Sequence, residues 1–437
     1  MISRIRQDLL SIFEACLEAI APDRAVRESI RKDGDYLFVQ QKRVSLENKK
    51  VHLIAVGKAA RKMAVAAREV LGEVEGGIVV SNEEGEPIPP LMFIRASHPY
   101  PDSRSLQAGK AVLNYASSLD EDDLLLFLIS GGASALMVYP REGISLQDKI
   151  STVKLLLKTP ATIREINTVR KHLSAVKGGF LARAAHPALV ITLAISDIVY
   201  DPLPDIGSGP TVPDPSTFSQ AIEVLKKYNL LSKVPERVVE FLKRGAEGMA
   251  EETPKPGPEF EADLAFIILN NRTALEAARK KATKLGFDAF ILTSLEEGRV
   301  EKWVDVYSRI LEERLRSGRL KKPLLFLSGG EVTVEVKGRG KGGRNQEFVL
   351  RMLHRLSRYS EGWTVASFGS DGLDGPTDAA GAIADPHTLE RARQLGLDTE
   401  KFIADNDSYS FFEATGDLVK TGPTGTNVMD IRMMVIF

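Results

Sequence analysis

The sequence predicts an α/β protein built as two domains. Short apolar runs alternate with stretches of helical periodicity along the chain, the pattern of a mainly parallel sheet covered by helices on both faces. The rhythm stops between Glu247 and Asp263, where residues 251–258 hold three prolines and a glycine, and a second α/β series begins after the break. A length of 437 residues also exceeds what one core usually fills, so the expectation is an N-terminal domain over 1–248, a linker at about 249–261 and a C-terminal domain over 262–437.

In the first half the apolar runs 51–56, 77–80, 91–94, 124–129 and 188–195 are candidate strands, with helices near 58–71, 103–119 and 161–177. In the second half, strands are expected at 264–269, 289–292, 324–327, 331–336, 363–368 and 428–437, with helices near 272–285, 300–316 and from 345 onward. The segment Leu125-Leu-Phe-Leu-Ile-Ser-Gly-Gly132 returns, one residue shorter, as Leu324-Leu-Phe-Leu-Ser-Gly-Gly330. Ligands of open α/β sheets bind at the carboxyl ends of strands, which makes Ser130, Gly131, Gly132, Ser328, Gly329 and Gly330 candidate contacts.

Lys plus Arg (58) and Asp plus Glu (59) nearly cancel, so no global field draws nucleic acid or anionic lipid, and anion affinity has to be local. The single Cys16 excludes an internal disulfide framework, and its amphipathic surroundings mark it as core. The early apolar run is interrupted by Glu14 and Glu18, and the uncharged stretch 124–140 is shorter than the roughly 20 residues of a membrane span. A cytoplasmic protein without nucleic-acid or membrane partners is expected.

The most distinctive segment is Gly338-Arg-Gly-Lys-Gly-Gly-Arg-Asn-Gln-Glu347. Glycines let backbone N–H groups approach an anion, the following helix start adds a partial positive charge, and Lys341 and Arg344 add whole ones. The segment reads as a phosphate seat, against the alternative of a solvated basic turn. Gly338, Gly340 and Gly343 formally match G-x-G-x-x-G, but the preceding Glu331–Val336 alternates acid or Thr with Val, unlike the buried first strand of a dinucleotide fold. Walker A fails as well, because Arg344 and Asn345 follow Gly343.

Other residues could carry chemistry. Lys58 stands at a helix N-terminus, where a cation opposes the macrodipole and calls for an anion or a carboxylate, unless it is simply solvated. Asp197 lies at the exit of a buried strand, placed to accept a proton or hold a metal. Asp371 and Asp378 share a glycine-rich loop after another strand, without EF-hand spacing; Mg²⁺, which takes one or two carboxylates with waters and phosphates, suits them better, the alternative being a turn cluster. The segment 421–427, with Thr424 and Asn427, either lines a phosphate or sugar or makes a turn. No histidine shares a zinc-binding spacing, and no G-x-S-x-G elbow is present.

Taken together, these segments resemble the two-domain glycerate 2-kinase family whose C-terminal half is called the MOFRL domain. The resemblance rests on Gly57-Lys-Ala-Ala, Leu128-Ile-Ser-Gly-Gly-Ala-Ser-Ala-Leu136, Ile166-Asn-Thr-Val-Arg-Lys-His-Leu-Ser174 with Lys177-Gly-Gly179, Ser196-Asp197 with Gly207-Ser-Gly-Pro, Gly342-Gly-Arg-Asn-Gln-Glu347, Ser370-Asp-Gly372 with Gly375-Pro-Thr-Asp378, and the 421–427 loop. It implies two α/β/α sandwich domains, a Rossmann-like parallel sheet first and a mixed sheet second, with the active site in the cleft between them. It also implies Mg²⁺-dependent transfer of the γ-phosphoryl group of ATP to D-glycerate, giving 2-phosphoglycerate. In that scheme Lys58, Asp197 and Arg344 are catalytic; the Ser-Gly-Gly residues, Lys341, Gly342, Gly343, Asn345, Thr424 and Asn427 contact nucleotide or substrate; Asp371 and Asp378 serve the metal. Two rival readings are a nicotinamide-dependent hydroxypyruvate or glycerate oxidoreductase and a non-catalytic nucleotide sensor. A homodimer is the one assembly considered for it.

Overall fold

The structure, a computed structural model, describes residues 1–317, 320 and 322–437. They form two compact units, one of residues 22–196 and 201–268, the other of residues 1–21, 197–200 and 269–437.

The first unit opens with a small antiparallel sheet of β1 (Ile30–Asp33), β2 (Tyr36–Val39) and β3 (Lys42–Ser45). Its main sheet contains β4 (Lys50–Val56), β5 (Gly76–Ser81), β6 (Leu91–Arg95), β7 (Asp123–Ile129), β8 (Leu189–Ile195) and β9 (Leu264–Leu269), in the order β6-β5-β4-β7-β8-β9. The pairings from β6 across to β8 are all parallel. Every residue of β7 is buried, as a strand covered on both faces has to be. From β4 the chain winds outward through β5 and β6, then returns to build β7 and β8 on the other side of β4. That reversal is the topological switch point of a doubly wound sheet, where neighbouring strand exits part and open a crevice.

The second unit contains β10 (Asp288–Arg299), β11 (Leu324–Thr333), β12 (Trp363–Gly369), β13 (Gly381–Ala384), β14 (Leu418–Val419) and β15 (Asp430–Ile436), in the order β10-β11-β15-β12-β13-β14. Only the β10–β11 pairing is parallel among these described strands, so the sheet is mixed. Its core gathers Trp363, Val365, Phe348, Phe411, Phe412 and Met434. The helix Ile2–Ala19 packs into this unit through Leu9, Ile12, Phe13 and Cys16, one stripe at helical spacing, with the Phe13 and Phe368 rings 4.4 Å apart. Burial pushes the Cys16 thiol up to about 12, which leaves it an inert core residue.

The unit boundaries differ from the expected ones. The run 264–269 does not start the second series; it extends the first sheet beside β8. Residues 249–261 are not a free linker, because their polar side chains tie the segment down. Glu252 accepts from the Phe218 amide at 3.0 Å and pairs with His172 Nε2 at 2.8 Å, while Thr253 Oγ1 donates to Asp214 at 3.1 Å. Prolines removed the apolar rhythm without removing the packing. The expected separate strand at 331–336 is the tail of β11, which runs straight through Ser328, Gly329 and Gly330 and ends at Thr333.

Candidate active site

In the first unit the exits of β4 and β7 interlock. The Lys58 amide donates to Gly131 O at 2.9 Å and the Ala59 amide to Ser130 Oγ at 3.1 Å. Gly57, at φ 138°, is required here, since a Cβ would stand 2.1 Å from Ser130 Oγ and 2.7 Å from Ser130 O. Gly132, at φ 87°, opens a short helix, and the space a Cβ would take there lies 3.0 Å from His98 Cδ2 and 3.3 Å from Lys58 Cγ. Lys58, Ser130, Gly131 and Gly132 therefore come together at the switch point.

His98 joins them from the loop after β6, and sequence reasoning missed it. Its only local signal is the His98-Pro-Tyr-Pro101 stretch following a strand. Burial, then the charge of Lys58, push its imidazole down to about 4, so it is neutral near pH 7. The loop after β8 completes this face: Ser134 and Ser208 hydroxyls are 2.9 Å apart, and a Cβ at Gly207 would lie 3.1 Å from that of Ala133.

In the second unit the glycine-rich loop is filled by the chain's own oxygens. Asn406 Oδ1 accepts the amides of Lys337 (2.7 Å) and Gly338 (3.0 Å), Asp405 takes those of Arg339 and Gly340 (both 2.8 Å), and Asp407 takes that of Lys341 (3.0 Å). Gly338 and Gly340 make room for this backbone, a Cβ at Gly338 meeting Asp405 O at 2.1 Å. At the start of the helix Arg344–Arg355, Asp374 occupies the place read as a phosphate seat, accepting from the Asn345 amide at 3.0 Å and the Gln346 amide at 2.9 Å. Gly343 is the glycine that admits it, a Cβ there lying 2.2 Å from Asp374 Cγ.

Arg344 emerges from this helix start, a third exposed, between Asp430 (2.8 Å) and Glu331 (2.7 Å). Burial opposes its charge, but Asp430 and Glu331 outweigh burial and hold the guanidinium firmly protonated. Asn345 binds Asp430 at 2.9 Å and Ser367 at 2.5 Å. Behind them Arg432, fully buried, joins Asp430 at 3.1 Å to Glu296, which also takes the Tyr307 hydroxyl. Ser328, Gly329 and Gly330 lie inside β11, paired with Arg432, Ile431 and Asp430 of β15. A Cβ at Gly330 would meet Glu296 N at 2.4 Å, so here the repeated Ser-Gly-Gly serves close packing rather than a strand exit.

The remaining predicted residues of the second unit's loops fall into two groups, with Asp197 apart from both. Thr424 donates its amide to Asp371 O at 3.1 Å and its hydroxyl to Ser370 O at 2.7 Å, and Asn427 Oδ1 accepts from Ser370 Oγ at 3.3 Å, so these join Asp371. Asp378 is paired with Lys420 at 2.9 Å and Tyr409 at 2.8 Å, and Lys341 Nζ lies 4.0 Å from the centre of the same Tyr409 ring. Gly342 lies in the same loop as Lys341, where a Cβ would meet Ser408 Oγ at 2.2 Å. Asp197 follows the buried end of β8, half-buried itself. Among the described residues no group of three or more His, Cys, Asp or Glu could hold a metal ion alone. The carboxylates present, Asp371 near Glu331 and Asp378 paired with Lys420, are of the oxygen-donor type that Mg²⁺ takes when it arrives with phosphates; Glu331 itself is raised by burial, which Arg344 opposes.

The first unit thus carries a lysine at glycine-opened strand exits, and the second an arginine seated on carboxylates at a helix start. Residues 8–243 match a domain of unknown function, DUF4147, and residues 324–430 match the MOFRL family. The chain is 40% identical to a glycerate 2-kinase of Pyrococcus horikoshii, over 99% of this chain and 97% of that one, and 41% identical to a D-glycerate 2-kinase of Thermotoga maritima, over 98% and 97%. A crystal structure of a glycerate kinase from Thermotoga maritima superposes with TM-score 0.85 at 37% identity, covering all of both chains. A protein of Agrobacterium vitis named putative hydroxypyruvate reductase is 38% identical over 99% of this chain and 94% of that one. The chain belongs to the glycerate kinase family. No helix among the described residues is long and apolar enough to cross a membrane.

Proposed function

We propose that this chain transfers the γ-phosphoryl group of ATP to the 2-hydroxyl of D-glycerate, with Mg²⁺. The observation that carries the reading is the β4–β7 switch point, where Lys58 flanks Gly132 at the carboxyl ends of parallel strands. In this reading the hydroxyl oxygen attacks Pγ, an O–P bond forms as the bond from Pγ to the bridging oxygen of ADP breaks, and the hydroxyl proton passes to Asp197. Charge spreads over the transferring oxygens in such a loose transition state, and catalysis is mainly positioning and electrostatics. Lys58 and Arg344 supply positive charge; Arg344 arrives oriented by Asp430 and Glu331. Asp371 is the carboxylate for Mg²⁺, which when bound neutralises phosphate charge.

The oxidoreductase reading loses its only fingerprint. Of the glycines that match the pattern, Gly338 and Gly340 face Asp405 and Asp407 and Gly343 faces Asp374, in a loop that follows a strand of a mixed sheet, which argues against a dinucleotide seat. Phosphorus NMR of protein incubated with ATP, Mg²⁺ and D-glycerate tests the proposal: a 2-phosphoglycerate signal is expected. Lys58→Ala and Arg344→Ala should each lower kcat/KM by about 100-fold or more while remaining folded. ATP bound without turnover would overturn the kinase reading in favour of a sensor.

A further inference from the structure

The motif Asn167-Thr-Val-Arg-Lys171, with Lys177, has no role in the scheme above. It nonetheless places three basic side chains together, two buried and one half-buried: Lys149 and Lys177 are 4% and 0% exposed, and Arg170 is intermediate. Their polar contacts are carbonyls and an amide. Lys149 Nζ donates to Arg170 O (3.2 Å) and Leu173 O (3.3 Å), Lys177 Nζ to Gly207 O (3.1 Å), and Arg170 Nη1 to Asn167 Oδ1 (3.0 Å). Among the described residues no carboxylate stands within ion-pair distance of any of the three. Lys171, by contrast, has two, Asp205 at 3.1 Å and Asp214 at 3.3 Å. Burial pulls Arg170 down to about 10, and burial followed by the charge of Arg170 pulls Lys177 down to about 7.

Buried charge without a counter-ion is costly, and clustered like charges add to the cost. The cluster also reaches the switch point. Asn167 Oδ1 accepts from Ser208 Oγ at 3.1 Å, and Ser208 contacts Ser134, two residues beyond Gly132. Gly207, whose carbonyl holds Lys177, packs on Ile129 at the exit of β7. An anion bound at this place, beside the Lys58 loop, would balance the cations and face the hydroxyls of Ser134 and Ser208.

We infer that Arg170, Asn167, Ser208 and Ser134, backed by Lys177 and Lys149, form an anion subsite that takes the carboxylate of the hydroxy-acid substrate. The planar guanidinium matches a carboxylate edge to edge, and the two lysines behind it supply field without contact. This rests on the kinase reading, so the test begins with wild-type turnover of D-glycerate; its absence would defeat that reading and not the subsite alone.

Given turnover, Arg170→Gln should raise KM for D-glycerate about 10- to 100-fold with KM for ATP unchanged, and Arg170→Lys should recover part of the loss. Lys177→Met separates a binding role from a structural one. Replacing an unpaired buried charge by an apolar side chain of similar length should raise Tm, while KM for D-glycerate still rises. Wild type should also prefer glycerate to glyceramide, and Arg170→Gln should abolish that preference. An unchanged KM for D-glycerate in Arg170→Gln would overturn the inference. So would a matched rise in KM for ATP, which would assign the cations to nucleotide phosphate, or a lowered Tm with unchanged KM in Lys177→Met.

Discussion

The Asp374 carboxylate accepts the backbone N–H of Asn345 at 3.0 Å and so takes the place at the helix start where the glycine-rich sequence suggested a phosphate. The chain supplies its own anion there, beside Arg344. Asp374→Ala should cost about 2–3 kcal/mol, combining a lost N-cap with buried donors left unpaired. Asp374→Asn, which keeps one acceptor, should cost less. Urea unfolding decides it; a loss in the alanine variant below about 0.5 kcal/mol would mean the cap is not holding the helix.

Two groups should pull stability in opposite directions in acid. Asp374 is pushed up to about 6 by burial despite its backbone donors, above its ordinary 3.8. Its contribution is therefore present near pH 4 and lost as pH rises through 6. His98, held at about 4 against an ordinary 6.5, contributes above 6.5 and loses that contribution as pH falls through 4. Between those limits the stability of wild type relative to Asp374→Asn should fall with rising pH, and relative to His98→Gln it should rise. Urea midpoints across the window, if parallel for all three proteins, would refute both assignments.

Gly57→Ala should destabilise the first unit by about 2 kcal/mol or more, because the side chain needs a φ of 138° and collides with Ser130 O as well as its hydroxyl. Turnover should fall further than stability alone accounts for, since the same loop carries Lys58. A variant with wild-type Tm and kcat would show that the two strand exits are not locked together.

Glu296→Ala should cost about 3–5 kcal/mol by leaving fully buried Arg432 with Asp430 alone. Tyr307→Phe, removing only a hydroxyl from Glu296, should cost about 1 kcal/mol. Since Asp430 also orients Arg344, kcat in Tyr307→Phe should drop while KM for ATP holds. Equal effects of the two substitutions in chemical denaturation would contradict a relay anchored on Glu296.

The two metal candidates should separate. Asp371→Asn should raise the Mg²⁺ concentration for half-maximal rate by about 10-fold or more, because a carboxylate is lost from the acidic side of the site. Asp378→Asn should leave that concentration within about twofold, its charge being spent on exposed Lys420. Magnesium titrations that move equally would put the two aspartates back in one role.

The strand exits at Lys58 and Ser130-Gly-Gly132 were legible because their signal is local: a buried run, then glycine and a cation. His98 was not, since a lone histidine before proline has no periodicity, and only the winding of β6 into the sheet brings it beside Gly132. The glycines of 338–343 misled for a related reason. Glycine reports that something comes close, not what it is, and the visitors are Asp374 and the segment from Asp405 to Ser408, whose Asp405 to Asp407 lie 66 to 69 residues beyond the amides they accept.

The alternation of apolar runs by itself determined an α/β fold, most strand positions within a residue or two, the core role of Cys16 and, through ordered motifs, membership of the glycerate kinase family. Only the tertiary structure decided that the helix Ile2–Ala19 joins the C-terminal unit and that Leu264–Leu269 joins the first sheet. It also decided that Ser328-Gly-Gly330 lies within a strand while Ser130-Gly-Gly132 ends one. Periodicity records how deeply each segment is buried, because burial follows from side chains one turn or one pleat apart. The partner that does the burying is chosen by packing among segments hundreds of residues apart, and no local pattern encodes it.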